Sequence, residues 1–315
     1  MGKSKRKTKK SSIKTITILL IYLLVISLIG YFTINNFYKM KKVNKEYKIV
    51  KEKYNKLNNE YNNTIKNTDR ISKELKEVKN TSKKLEETKN EVFSLAKELE
   101  TKIKNNESNA KIAYLTFDDG PYYLTDNVLN VLNEKKVKAT FFTIGLNKDP
   151  CYDNKAVSCY GTYKRIVDSG HTIANHTYSH AIFGGLYSSS SNFLSDIEKQ
   201  EQLILERTGY KTNIVRFPGG SSTAKGLKND IINGLRERGY GWVDWTAGDG
   251  DGGSLASTDQ AWNNLVNTIN SNIEVILFHD YNRFTNAILP DAITYLEDNG
   301  YIILPLFYDS VMINK

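Results

Sequence analysis

Residues 111–315 read as an α/β barrel of about seven strands, closed or nearly closed, preceded by an apolar segment of membrane-spanning length and a long heptad-patterned helix. Three observations lead there. Short apolar runs alternate with helical stretches along the last two thirds of the chain. The residues able to do chemistry follow the apolar runs. Before them lies an uninterrupted 4-3 repeat, with neither Pro nor Gly from Val43 to Ile103.

The first element is a basic leader, residues 1–14, with seven Lys or Arg and no acid. Residues 15–34 follow without a charge and are rich in Leu and Ile. As a helix, twenty such residues reach about 30 Å, the thickness of a bilayer core. The leader's charge excess predicts that it stays cytoplasmic and the remainder faces outward, on the cell membrane as a single-pass protein. A cleaved signal peptide is the competing reading, but Gly30-Tyr31-Phe32-Thr33 has no small-x-small site.

Residues 35–104 form the second element, a stalk. One apolar series runs Val43, Val50, Leu57, on to Val92 and Leu99, and the other runs Tyr47, Tyr54, Tyr61, on to Ala96 and Ile103. Such a pattern predicts a coiled coil and a homo-oligomer, weakened in the middle by Thr64, Thr68, Ser82 and Lys89. A single amphipathic helix, or one folded back on its own domain, is the alternative. Residues 105–110 are a polar linker.

Charge divides along the chain. Residues 1–110 carry a net +14 and residues 111–315 a net −5. The basic balance therefore belongs to leader and stalk, which argues against nucleic acid as the partner. The two cysteines, Cys151 and Cys159, fit a small loop-closing disulfide outside the cell.

The third element is the domain. Strand-like runs fall at 112–117, 139–144, 171–175, 214–217, 241–243, 275–278 and 302–306, with helical stretches at 124–134, 163–169, 192–208, 225–238, 258–270 and 286–299. This alternation implies a parallel sheet with right-handed crossovers, whose active residues gather at the carboxyl ends of the strands. Asp118 and Asp119 follow the first run, His176 the third, Arg216 the fourth, Asp244 the fifth and His279 the sixth. One of the paired carboxylates can bind a metal while the other takes a proton, and His176 and His180 suit two nitrogen ligands of zinc or another divalent first-row metal such as cobalt. Arg216 is placed to keep a carboxylate ionised. His279 is placed to give a proton to a leaving group, and Asp244 to pair with either His279 or Arg216. Trp245 and Leu277 are read as walls of a small apolar pocket, and the backbone around Gly219 as an oxyanion donor. The chemistry is acyl hydrolysis by water activated at the metal, without a covalent intermediate.

Taken together, Thr116-Phe117-Asp118-Asp119-Gly120-Pro121, His176-Thr177-Tyr178-Ser179-His180, Arg216-Phe217-Pro218-Gly219-Gly220, Asp244-Trp245 and Leu277-Phe278-His279-Asp280 resemble the five motifs of the polysaccharide deacetylase family, the NodB-like carbohydrate esterases. The resemblance implies a deformed (β/α) barrel over about residues 111–306 and removal of acetyl from N-acetylated sugars. It implies Asp118 as base and Asp119, His176 and His180 as metal ligands. It implies His279 as acid, with Arg216 and Asp244 tuning the pair. An outward-facing anchored chain of this kind is similar to peptidoglycan N-acetylglucosamine deacetylases, with cell-wall glycan as partner. N-acetylmuramic acid, an exopolysaccharide, chitin or xylan are alternative substrates, and a non-catalytic glycan-binding scaffold is a different class. Two departures bear on subsites: Gly219 stands where many relatives carry an aromatic or basic residue, and Gly241 replaces an upstream Asp of the fourth motif.

Several residues receive plainer readings. Tyr122 can stack on sugar or simply pack. His171 is structural and Trp242 is core. Asp249-Gly250-Asp251-Gly252-Gly253 lacks the other positions of an EF-hand and is read as a turn.

Overall fold

The computed structural model describes residues 51, 54, 58, 75–145 and 159–315. The leader 1–14, the apolar segment 15–34, most of the heptad pattern before residue 75, and Cys151 lie outside the described residues. Among the described residues no helix is long and apolar enough to cross a membrane. Residues Thr64–Lys315 form one compact unit.

Helix α1, Leu75–Lys104, is built from Lys, Glu and Leu without Gly or Pro, and it ends with Lys102 and Lys104 in its last turn, where cations suit the helix dipole. Its last three turns lie on the domain. Ala96, Glu100 and Ile103 are buried there, and Phe93 stacks on Phe307 with ring centroids 4.9 Å apart. Part of the predicted oligomer seam is thus occupied within the chain. Glu100 accepts hydrogen bonds from Tyr114 Oη, from Ser310 Oγ at 2.7 Å and from Val311 N at 2.8 Å. Burial raises its pKa above the ordinary carboxylate value. Glu100→Ala strands three donors, and we expect it to cost ~2 kcal/mol of unfolding free energy in a denaturant titration, with Glu100→Gln losing less.

The sheet has eight strands, all paired in parallel: β1 Lys111–Asp118, β2 Thr140–Thr143, β3 Thr172–Asn175, β4 Ile214–Val215, β5 Gly241–Trp242, β6 Ala247–Gly248, β7 Ile273–His279 and β8 Tyr301–Leu304. Their order is β5-β4-β3-β2-β1-β7-β6, with β8 against β1. The sheet curls as a half-barrel whose two edges are β5 and β6, so the deformed barrel is open. Seven of the strands match the apolar runs. The eighth, β6, is two residues long, too short to show a periodicity. β1 is central: it pairs with β7 over residues 112–118, with β8 over residues 111–114 and with β2 over residues 116–118. That position explains its composition, since a strand covered on both faces reads as continuous apolar residues.

Helices α2 Thr125–Glu134, α3 Cys159–Asp168, α4 Ser190–Thr208, α5 Lys228–Glu237, α6 Thr258–Thr268 and α7 Arg283–Asp298 connect the strands. One core packs α2, α3, α6 and α7 on the sheet through Phe117, Leu132, Ile166, Leu265 and Leu289. A second joins α4 and α5 through Phe193, Phe217, Ile231 and Leu235. Ser189 and Ser257 cap α4 and α6 by accepting from the backbone N–H three residues on. His171 is buried and accepts from Ala139 N, a role within the fold.

Candidate metal and catalytic centre

The parallel register sets the site. Asp118, the last residue of β1, lies directly opposite His279, the last residue of β7. At the same level His176 N donates to Thr143 O and Arg216 N donates to Asn175 O, so the ends of β3 and β4 advance together. Strand termination thus brings residues 118, 176, 216 and 279 to one rim.

Three backbone positions beyond the rim are left-handed although none is glycine: Asp119 with φ 69°, Thr177 with φ 70° and His180 with φ 48°. Each costs of order 1 kcal/mol, which the surroundings must hold in place. Thr177 N donates to Asn175 Oδ1, His180 N to Thr177 Oγ1, and both Ser179 N and Ser179 Oγ to Asp196 Oδ2. The i, i+4 histidines therefore meet through a pinned loop rather than a helix face, with ring centroids 4.9 Å apart.

Asp119, His176 and His180 each bring one ligand atom to within 4.8 Å of the others, a group able to hold a metal ion. Asp119 Oδ1 lies 3.2 Å from His180 Nε2 and 3.5 Å from His176 Nε2. His176 Nδ1 is 2.8 Å from the carbonyl of Arg216, to which it donates, so Nε2 presents its lone pair to the centre. Burial, and then His180, push His176 down to about 3, so the ring is the neutral form a metal needs. Two imidazole nitrogens and one carboxylate are a donor set that zinc and its neighbours accept.

Asp118 is fully buried beside this group. Its Oδ1 accepts from Arg216 Nη1 at 2.9 Å, and its Oδ2 lies 3.5 Å from His176 Nε2. Burial raises Asp118 above the usual carboxylate range, and Arg216, then His279, pull against that rise. Arg216 is itself buried. It donates to Thr116 Oγ1, Val243 O and Asp244 O, and its guanidinium carbon stands 4.1 Å from the centroid of the Phe142 ring. His279 Nε2 faces Asp119 Oδ2 at 3.7 Å from the other side.

Residues 105–240 match the family model described as polysaccharide deacetylase. A peptidoglycan-N-acetylglucosamine deacetylase of Bacillus cereus is 32% identical over 204 residues, which cover 62% of this chain and 69% of that one. The chain belongs to the polysaccharide deacetylase family. YheN of Bacillus subtilis is likewise 32% identical, over 214 residues, 66% of this chain and 70% of that one. Among solved structures, the catalytic domain of a peptidoglycan N-acetylglucosamine deacetylase from Eubacterium rectale superposes with a TM-score of 0.59 at 33% identity, covering 66% of this chain and 93% of that one.

In this family member the remaining predicted residues separate. The carboxylate of Asp244, expected against His279 or Arg216, is hydrogen-bonded to neither: it accepts from Ser221 N at 2.9 Å and Ser221 Oγ at 2.6 Å, while its charge still favours the protonated form of Arg216 and its carbonyl accepts from Arg216 Nη2. Asp244 ends the run after β5, two residues before Thr246, whose N–H donates to Val275 O of β7. The acid opposite His279 is Asp251, whose Oδ1 is 2.6 Å from His279 Nδ1. Burial favours neutral His279, but the hydrogen bond and charge of Asp251, reinforced by Asp119 and Asp118, outweigh it and push His279 up to about 9. A sequence reading missed Asp251 because a Gly-rich loop carries no periodicity. What the sequence offers is two carboxylates, Asp249 and Asp251, each set between glycines shortly after the Asp-Trp pair.

Around the centre, Trp245 is half-exposed and its ring lies over Gly220, where an added Cβ would come within 3.2 Å of it. Leu277 is half-buried one residue short of Phe278, and its carbonyl crowds Gly248. Pro218 is buried, and its carbonyl accepts from Tyr187 Oη at 2.8 Å. Gly219 is exposed with φ 72°, and Ile182 Cδ1 stands 3.4 Å from where its Cβ would be. Tyr122 is half-buried and packs on Tyr123 and Tyr281. Tyr281, which sequence reasoning did not single out, has its ring 5.2 Å from that of His279.

Proposed function

We propose that the protein is a metal-dependent hydrolase that removes N-acetyl groups from a cell-wall polysaccharide, with N-acetylglucosamine of peptidoglycan as the substrate. The observation that carries this reading is the convergence of Asp118, Asp119, His176, His180 and His279 from three strand ends on one rim. A glycan binder has no use for an acid and a base flanking a ligand group. The relatives named for peptidoglycan support the choice of polymer.

In this reading Asp119, His176 and His180 hold one divalent ion, zinc being the best match to their donors. When bound, the ion supplies Lewis-acid polarisation of the acetyl carbonyl and lowers the pKa of water. Asp118 accepts the proton of the attacking water at Oδ2, because Oδ1 is committed to Arg216. His279, protonated and held through Nδ1 by Asp251, gives its Nε2 proton to the sugar nitrogen as the C–N bond breaks. Acetate and a free amine result, the water oxygen going to acetate. Trp245, Leu277 and Tyr122 border the place of the acetyl group and its sugar. Residues 15–34 anchor the chain, the catalytic domain lies outside the cell, and the stalk before residue 75 pairs with other copies. These assignments rest on the apolar run and the heptad pattern.

The base must be ionised and the acid protonated, so kcat/KM should follow a bell in pH. Its acid limb reports Asp118, which burial raises and which Arg216, then His279, and a bound cation pull down. Its alkaline limb reports His279 and lies at or below about 9, since a bound cation opposes protonation of a nearby ring. A pH–rate series on N-acetylated chitooligosaccharides and peptidoglycan measures both. The function itself is tested by acetate release from purified wall glycan, with muropeptide mass spectrometry of cells with and without the gene. Deacetylated glucosamine that disappears with the gene supports the reading, and zinc-loaded protein that frees no acetate from any wall glycan rejects it.

A further inference from the structure

Behind His279 lies a buried chain of oxygens whose protons do not add up if every carboxylate is ionised. Asp251 Oδ2 accepts from His279 N at 2.6 Å and lies 2.7 Å from Thr285 Oγ1. The same hydroxyl lies 2.6 Å from Asp249 Oδ2. Asp249 Oδ1 accepts from Asp251 N at 3.1 Å. Asp249 and Thr285 are fully buried and Asp251 is 3% exposed.

A hydroxyl owns one proton, so Thr285 can donate to one carboxylate and not to both. With two ionised acids, the second contact would press two electron-rich oxygens together in a water-poor interior, where an unsatisfied charge is costly. One further proton satisfies both contacts. It does not fit on Asp251 Oδ2, which already accepts from a backbone N–H. Asp249 Oδ2 is the oxygen left for it.

We infer that Asp249 is a neutral acid below neutral pH, a positioning residue that donates to Thr285, so that Thr285 donates to Asp251 and Asp251 faces His279 purely as an acceptor. The direction of the chain then fixes a proton on His279 Nδ1 and turns Nε2 to the reaction. Burial, then the charge of Asp251, push Asp249 up to about 7, in keeping with the proton count. The groups facing Asp249 are consistent with this. Its own loop offers Asp251, with His279 behind it at the end of β7. Helix α7 offers the uncharged Thr285, and α6 offers Asn264, which donates to the Asp249 carbonyl at 2.9 Å. Among the described residues no cation is hydrogen-bonded to it.

The role assigned to Asp249 rests on the deacetylase reading, but its protonation does not, and the test separates them. Infrared spectra of the full-length protein at pH 6 should contain the carbonyl band of a protonated carboxylic acid that the Asp249→Asn difference spectrum removes. Thr285→Val should move that band to the higher frequency of an acid without an acceptor. In acetate release at pH 6, Asp249→Asn, whose amide N–H replaces the acid's donor, should keep kcat within about threefold of wild type, while Asp251→Asn should lower it at least about thirtyfold. A wild-type spectrum without such a band, a band unmoved by both variants, or an Asp249→Asn protein as slow as Asp251→Asn overturns the inference. If Asp249→Asn does not fold, the Thr285→Val shift decides. If wild type frees no acetate, the functional reading fails while the infrared result still stands or falls alone.

Discussion

Asp118→Asn should abolish acetate release and leave the metal in place. The substitution preserves size and burial, and an amide can still lie against Arg216 Nη1, now 2.9 Å from Oδ1. What it removes is the acceptor for the proton of water. A positioned general base contributes about 10² to 10⁴ in rate, and kcat should fall by that factor or to the detection limit. Asp118 is not in the three-residue ligand group, so elemental analysis should still find about one zinc per chain. Loss of the ion together with activity would move Asp118 from base to ligand. Substantial residual turnover would remove it from the reaction.

Arg216→Met should have the second largest effect, on two observables at once. The guanidinium is the only cation hydrogen-bonded to Asp118 among the described residues, and both are buried. Breaking one side of a buried pair strands the other, at a cost of ~3 kcal/mol or more. The protein can escape part of that cost by protonating Asp118, which destroys the base. Arg216 is among the forces that pull the Asp118 pKa down against burial, so its removal raises that pKa further. The acid limb of kcat/KM should therefore move to higher pH as metal-free stability falls in a urea titration. Arg216→Lys should restore charge but not the four contacts to Thr116, Asp118, Val243 and Asp244, and should rescue only in part. An unchanged acid limb in Arg216→Met would contradict the pairing.

Much of the site was legible because strand ends are legible. Ile112 to Phe117 is an apolar run that stops at Asp118, and Val275 to Phe278 stops at His279, so the two residues were bound to share a rim once the strands were parallel. Less was legible where geometry comes from loops. The spacing of His176 and His180 suggested ligands but not the left-handed turns at Thr177 and His180 that bring them together. Asp251 looked like part of a turn, and only the fold shows that the turn returns beneath His279. The stalk shows a different limit. A stripe such as Ala96 and Ile103 says that a face is covered, not by what, and here the domain itself covers the last turns.

In the proposed reaction, three ligands and an acid–base pair from distant parts of the chain surround one divalent ion. Anomalous diffraction from crystals of the zinc-loaded protein tests it most directly. A single strong peak is expected, coordinated by Asp119, His176 Nε2 and His180 Nε2, with Asp118 and His279 flanking it and not bound. A peak elsewhere, or one that His176→Ala leaves at full height, would contradict it.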